Sequence, residues 1–354
     1  MKKLLCLLFV LLLLAGCGAP AATTPETTEP AFSVSKDAIE KQTINYYFMT
    51  GEGNIVNENH GDYFTKWGDC CLVVFPNGQT MLIDTGIKGA YPTIKAKLES
   101  YGIKKLDYVV ITHPHDDHAG GMWAGLFKDF EIGQVYHNGY YNRNWSEKAL
   151  VQTYCTKYDI PCDVLSAGDK MSFGDVSMTV LWPTKEAGEI FQAIEGSNAV
   201  NSLSIVMRFD YGKHSSLFTG DIYKTYKGLK DDEGELVAGQ IGAEHLLTEM
   251  YKNGELDVDL LKLPHHGDPS TSNSAEFFAA TTPKMAMATA FTPVGDYLSV
   301  YKKRGHKNPT FFDRQYGYVQ FFATADGTLK ANPERTDYLE NYGKNWNKEL
   351  ERND

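Results

Sequence analysis

Short apolar runs closed by glycine, proline, asparagine or aspartate make up most of the chain beyond residue 43. Residues 44–49 read as a first strand. Residues 70–75 and 80–83, joined by Pro76-Asn77-Gly78, predict a hairpin that Asp84-Thr85-Gly86 closes. Residues 91–101 predict a helix with Gly102 at its C-terminal end. The run 106–112 predicts a buried strand leading straight into His113. Helices are predicted at 121–130 and 146–158, with a short strand at 134–136 between them. The second half gives strands at 176–181, 203–209 and 215–219, then a polar excursion at 222–242. A helix at 243–251, a strand at 258–263 and a helix at 274–280 follow, with strands at 285–290 and 318–324 closing the pattern. Strands alternate with helices but hairpins also occur, and no internal repeat is visible. The class predicted is mixed α/β (α+β).

The first residues follow a different pattern. Met1-Lys2-Lys3 precedes an apolar run at 4–14, then Ala15-Gly16-Cys17. A basic start, a short apolar stretch and small residues describe an export signal, and the run is short for a membrane span. Leu14-Ala15-Gly16-Cys17 resembles the lipobox of bacterial lipoproteins. That resemblance implies cleavage before Cys17 and lipid on its thiol. The protein would then stand on the outer face of the cell membrane, touching it through the N-terminal lipid only; ordinary secretion is the alternative. The expected organisation is a signal peptide at 1–16, a lipid attachment point and Thr/Pro/Ala/Glu-rich tether at 17–40, a folded domain at 41–335 and a tail at 336–354.

Composition narrows the function classes. With 354 residues, 42% hydrophobic and 22% charged, the chain reads neither as a multi-span membrane protein nor as a coiled coil or disordered chain. A formal charge of -11 disfavours wrapping nucleic-acid duplex by bulk attraction, yet leaves room for a pocket that takes one phosphate ester. Of six cysteines, Cys6 and Cys17 belong to the signal. Cys155 and Cys162 are close enough in sequence to bridge in an oxidising compartment, whereas Cys70 and Cys71 point to opposite faces of one strand.

The strongest chemical signal is His113-Pro114-His115-Asp116-Asp117-His118, which concentrates three of ten histidines directly after an apolar strand. Imidazole and carboxylate are ligands for zinc and similar divalent metals. A turn there lets His113 and His115 face one point while Asp117 and His118 face another about 3–4 Å away, the spacing of a two-metal site. Asp84, Asp221 and His265-His266 also stand where apolar runs stop. A sheet delivers its strand ends to one edge, so these residues are candidates to join the histidines. Asp221 would bridge two metals, His265 would complete the second, and Asp84 would orient a ligand from behind. Taken singly, Asp84 and Asp221 also fit ordinary turns.

With those residues in place, the chain resembles the metallo-β-lactamase superfamily. The pattern His-x-His-x-Asp-His is His113, His115, Asp117 and His118; the family's bridging aspartate matches Asp221 in FTGD, and its last metal histidine matches His265 in LKLPHHG. More narrowly, PNGQTMLIDTG, ITHPHDDHAGG, NSLSIVMRF, LFTGDI, AEHLL, LLKLPHHG and GHKNP with DGTL are similar to the lactamase-like domain of the competence protein family that degrades one strand during DNA uptake. The similarity runs over about 44–333. It implies a four-layer αβ/βα sandwich of two facing mixed sheets with outer helices. It also implies two divalent metal ions, zinc with manganese as the alternative, and hydrolysis of an ester, amide, thioester or phosphodiester. A histidine that most members carry between the first motif and the bridging aspartate has no match in context, His137 and His214 being the candidates; Asn198 and Asn201 occupy the Asn/Ser-rich stretch of the subgroup. The first metal is therefore expected on His113, His115 and Asp221 with waters.

Two such metals would activate a water to hydroxide, with Asp117 orienting it and His266 or His306 donating a proton. The basic run from Tyr301 to Lys307 offers Lys303 and Arg304 as an anion-holding rim, with Asn201 as a further substrate contact; a solvated loop is the plain alternative. Trp123, Tyr136, Tyr140, Tyr141 and Trp145 offer either a stacking wall or ordinary core. The reading that results is an exported phosphodiesterase or nuclease acting on a small-molecule or polymeric ester, nucleic acid included, with no need to oligomerise. The alternatives are hydrolysis of a cell-wall or phosphocholine-type ester, a lactamase or lactonase, and a non-catalytic metal-binding lipoprotein.

Overall fold

The computed structural model describes residues 33–49, 54–57, 62–65, 68–140, 151–192, 197–225, 242–289 and 294–334. Within them the apolar runs become β1 (Thr43–Phe48), β2 (Asn54–Asn57), β3 (Asp62–Thr65), β4 (Cys71–Val74), β5 (Thr80–Ile83), β6 (Lys105–Ile111), β7 (Glu131–His137) and β8 (Cys162–Val164). The second half supplies β9 (Lys170–Phe173), β10 (Val176–Trp182), β11 (Val206–Tyr211), β12 (His214–Phe218), β13 (Leu260–Lys262), β14 (Met285–Ala288), β15 (Thr310–Phe312), β16 (Val319–Thr324) and β17 (Leu329–Pro333). One sheet runs β17-β16-β1-β4-β5-β6-β7-β8 and the other β15-β14-β13-β12-β11-β10-β9, while β2 and β3 pair apart.

The continuous apolar runs are explained by burial on both faces. In β4, Cys71 and Val73 point into the space between the sheets, whereas Leu72 and Val74 point toward outer helices. Between the sheets Phe75 stacks on Phe173 with ring centroids 4.1 Å apart, and Phe48 stacks on Phe218. Ile94, Leu98, Ala119 and Met122 cover the outer face of the first sheet, and Leu247, Phe277 and Tyr301 that of the second. Helix, sheet, sheet, helix is the four-layer αβ/βα sandwich.

The strand directions build the site. β5, β6 and β7 are mutually parallel, as are β12, β13 and β14. The C-terminal ends of β5 and β6 therefore open onto one edge, and those of β12 and β13 onto the facing edge.

Several local expectations shift. The helix expected at 121–130 begins at Asp116 instead and is interrupted at Gly125, whose φ is 141°. His115 is the extended N-cap, and Asp116 and Asp117 occupy the first turn, where carboxylates favour the helix dipole. This puts Asp117 and His118 on a helix. Gly120 and Gly121 let it approach the 85–88 segment: a Cβ on Gly120 would meet the Lys88 amide nitrogen at 2.2 Å. The strand expected at 203–209 starts at Val206, because a helix spans Ser197–Ser202 and Ile205 N–H donates across to Thr112 O at 3.0 Å. Ser33–Lys41 is a helix, with Ser35 and Ala38 buried and Ser35 Oγ donating to Gly78 O, so the folded part reaches back into the expected tether. Among the described residues no helix is long and apolar enough to cross a membrane. Residues 1–32, most of the 222–242 excursion and the tail 336–354 lie outside the described residues.

Candidate metal centre

His113 follows β6 directly, and its buried ring is held by Ser204 Oγ at 3.1 Å and Thr112 Oγ1 at 3.2 Å, both on Nδ1. Its Nε2 lies 2.9 Å from His115 Nδ1 and 4.0 Å from Asp221 Oδ2. His118 is fixed from behind: its Nδ1 lies 2.7 Å from Asp84 Oδ2, while Asp84 also accepts the Thr112 N–H at 2.7 Å and the Thr112 hydroxyl at 2.8 Å. Asp84 has a φ of 58°, the left-handed turn that aims its carboxylate back across the strand end. His118 Nε2 lies 3.1 Å from Asp221 Oδ2. Asp221 sits just past β12, and its N–H donates to Ser204 Oγ at 2.9 Å, which ties it to the His113 support.

From β13 the chain enters a tight turn in which His265 and His266 both have positive φ, 48° and 55°. That pair of left-handed residues sends His266 inward. Its Nε2 lies 3.2 Å from both Asp117 Oδ2 and Asp221 Oδ2. His265 Nε2 stands 3.9 Å from Asp221 Oδ2, and its Nδ1 lies 2.6 Å from Thr271 Oγ1.

Burial acts on every one of these groups, and neighbouring charge reverses its effect at His118, His266 and Asp221 but not at His113 or His265. Burial lowers His118 and His266, but Asp221 with Asp84 or Asp69 overcomes it and holds both imidazoles well above their usual range. Burial raises Asp221, but His118 and His266 pull its carboxyl well below the usual carboxylate range. His113 is lowered by burial and by the neighbouring His118 and His115, and His265 falls to about 4, mainly through burial. A divalent cation fits this environment. Nitrogen and carboxylate donors of Asp69, His118, Asp221 and His266 lie within 4.8 Å of one another, as do those of His113, Asp117 and His118. His118 Nε2 and Asp221 Oδ1 are buried without a hydrogen-bond partner.

The family model of the metallo-beta-lactamase superfamily matches residues 68–279, more than half of the chain. The chain belongs to that superfamily. It is 27% identical over 206 residues to ComE operon protein 3 of Bacillus subtilis (strain 168), covering 58% of this chain and 22% of that protein. It is 27% identical over 224 residues to competence protein ComA of Neisseria gonorrhoeae, covering 63% and 25% respectively. The chain thus spans about a quarter of the length of these curated relatives. Among solved structures it is similar to the metallo-beta-lactamase fold protein YhfI of Bacillus subtilis, with a TM-score of 0.46, 13% identity, and 82% of this chain and 100% of that one covered. Family and donor set together make this the centre of a metal-dependent hydrolase.

The superfamily pattern expected in the sequence maps onto this centre unevenly. His113, His115, Asp117, His118 and Asp221 come together, with Asp84 behind His118. His266, expected as a proton donor, is closer to Asp221 than His265, expected as a ligand, because the turn rotates the second histidine inward. Asn201 donates through Nδ2 to Tyr223 Oη at 3.0 Å, and the Tyr223 ring packs edge-on against His265. His306 stacks on Phe278 and meets Thr310 Oγ1 through Nε2 at 2.9 Å. Arg304 donates to the Ser272, Asn273 and Pro269 carbonyls, bracing the loop after the His265 turn, while Lys303 is exposed. Trp123, Tyr136 and Tyr140 each pack on a core cluster; Tyr141 and Trp145 lie outside the described residues.

Two residues of the centre escaped the sequence reading. Asp69, just before β4, pairs with Lys262 and accepts from Thr289 Oγ1, and its Oδ1 lies 3.0 Å from His266 Nδ1. Lys262 is buried, donates to Gly220 O at 3.0 Å and stands 3.7 Å from Asp221 Oδ1. The available signal was a lysine inside the strand Leu260-Leu261-Lys262-Leu263, since a buried charge demands a partner.

Proposed function

We propose that this protein is an exported phosphodiesterase or nuclease that works with two divalent metal ions of one kind, zinc, with manganese as the alternative. The observation that carries the hydrolytic reading is the convergence of Asp117, Asp221, His118 and His266 at the strand-end edge, with buried donor atoms left unsatisfied. The phosphodiester as the bond cleaved follows from the resemblance of the sequence motifs to the lactamase-like domain of the competence protein family, with which the likeness to two competence proteins agrees. When bound, such metals supply Lewis acidity and make a water nucleophilic at neutral pH.

In this reading His113, His115 and Asp221 would hold one metal, and Asp117, His118, Asp221 and His266 would hold the other. Asp84 and Ser204 fix the tautomer and direction of His118 and His113. Asp117, on the first turn of its helix, would orient the attacking water. Asp69 and Lys262 hold His266 and Asp221 in place from the inner side. His265, joined to Thr271 and Tyr223 and kept neutral by burial, faces the same edge and would contact the substrate by a hydrogen bond.

The test loads the full chain with each metal and compares a nitrophenyl phosphodiester, a phosphomonoester, a carboxyl ester, a lactam and single-stranded DNA. The expected result is selective diester turnover that Asp221→Asn abolishes. Turnover of the lactam or carboxyl ester alone, at full metal content, overturns the phosphodiester reading. Cleavage of none of them favours a binding role. We further propose that Cys17 carries lipid: Cys17→Ser is expected to release the protein from membranes, and native protein of unmodified mass would reject the anchor.

A further inference from the structure

Cys155 and Cys162 are free thiols, not the disulfide that their spacing suggested. The turn after β13 carries more. His265, His266 and Gly267 have φ values of 48°, 55° and 87°, three left-handed residues in succession. Glycine takes that region freely, but two histidines stay there only where the surroundings hold them. Asp117, Asp221, Asp69 and Thr289 meet the His266 ring. The backbone of the turn is held separately, by residues outside the metal-facing set.

Asn273 makes the central contact. Its Nδ2 donates to Pro264 O at 3.0 Å and to Asp268 O at 3.3 Å, the carbonyls directly before and directly after the three turn residues. One side-chain amide thus closes the turn across both ends. These acceptors also fix the amide, since turning it over would set Oδ1 against two carbonyl oxygens. Asn273 is fully buried, and its Oδ1 has no hydrogen-bond partner. A buried oxygen left unsatisfied is a cost, so the two donors are what this position uses.

The backbone of Asn273 is fixed from two further elements. Its φ is 62°, its N–H donates to Glu244 Oε1, and its carbonyl accepts from Arg304 Nη1 at 2.6 Å. Glu244 stands in the stretch AEHLL and Arg304 in the basic run, so two stretches with no ligand of their own reach the turn through Asn273. Tyr301, from the same run, donates its hydroxyl to Gly267 O. We propose that Asn273 is a positioning residue. By closing this turn it makes His266, and not His265, the histidine that faces Asp117 and Asp221. It thereby sets metal affinity from outside the ligand set, a consequence that rests on the metal-dependent reading of the centre.

The test compares the full wild-type chain with Asn273→Gly, which leaves the left-handed backbone available and removes the side-chain amide. Metal-free protein is treated with diethyl pyrocarbonate at one pH, and modification is mapped to each histidine by fragmentation. In wild type His266 is expected to be protected with the other buried rings. In Asn273→Gly it is expected to react about tenfold faster, the scale of one or two lost hydrogen bonds, while the buried His113 and His214 stay protected. Unchanged protection of His266 overturns the proposal, as does equal exposure of all three rings, which would mean general loosening. Zinc affinity, read by chelator competition, is expected to fall about 10–100-fold in the same variant. Equal zinc affinity in the two proteins overturns the proposed effect on metal. A wild type that binds no zinc would instead remove the metal reading, and the protection pattern would still decide the role of Asn273. One measurement needs no variant and so does not depend on one folding. With isotope-labelled asparagine in wild type, the Asn273 amide hydrogens are expected to exchange slowly with solvent, and exchange at the rate of an exposed amide overturns the proposal.

Discussion

His265 and His266 show how one residue step decides a role. They are chemically identical neighbours, but two successive left-handed φ values aim His266 Nε2 at Asp117 and Asp221, 3.2 Å from each, and leave His265 at 3.9 Å beside Thr271. If His266 is the ligand, His266→Ala should lower metal affinity by more than about 100-fold. His265→Ala should then cost about tenfold, the scale of a residue that only supports the site. Chelator competition on the two variants measures this, and the reverse order would return the ligand place to His265. The double histidine is plain in the sequence. Which of the two faces inward is not, because it depends on a backbone turn that no side-chain pattern records.

At the scale of an element, β13 carries a charge into the space between the sheets. Lys262 is nearly fully buried and is held by Asp69, by Gly220 O and at 3.7 Å by Asp221 Oδ1. Lys262→Met leaves the Asp69 carboxylate buried without its cation, and a loss of about 3–5 kcal/mol in unfolding free energy is expected. Adding Asp69→Leu should restore much of that loss. Urea titration of both variants checks this, and equal stability of the single variant and wild type would reject it. The helix Ala243–Met250 carries a second buried charge. Glu244 accepts the Asn273 and Ser274 N–H groups and so anchors the start of the helix Ala275–Thr281. Burial pushes its carboxyl up to about 7, with those two donors opposing. A raised carboxyl stabilises the fold fully below its unfolded value of 4.5, and that contribution is lost as pH rises toward and through 7. Glu244→Gln removes the titration, so its urea midpoint should fall less than that of wild type between about pH 5 and about pH 8. Identical pH slopes would show that Glu244 is not the titrating group.

For the whole molecule, the metal-free centre keeps protons where ligands must lose them. His118 and His266 are held above the ordinary imidazole value of 6.5 by the carboxylates around them. The stabilisation those protons give is complete below 6.5 and is lost as pH rises through the higher folded values. Metal binding should therefore release protons at neutral pH, and its apparent affinity should rise with pH. Calorimetric titration with zinc in two buffers of different ionisation heat should show the release. Heats that do not depend on the buffer would mean that the imidazoles are already neutral.

The sequence by itself determined the buried strands, because runs such as 70–75 and 108–111 are apolar on both faces, as strands covered on two sides are, whereas the four layers were what the superfamily resemblance implied. It also determined the first motif, since a cluster of imidazole and carboxylate after a buried strand has few other uses. Tertiary structure alone decided the rest. The helix at Asp116 depends on Gly120 and Gly121 lying against the 85–88 segment, and the strand at Val206 on a hydrogen bond from Ile205 to the other sheet. Asp69 joins the centre only because β4 and β13, far apart in the chain, face each other across the core, so that a carboxylate before one strand meets a lysine in the other. Local pattern reports which face of an element is buried. It carries no record of which buried charge lies across the gap, and at this centre that partner sets the direction and protonation of the residues facing the metal.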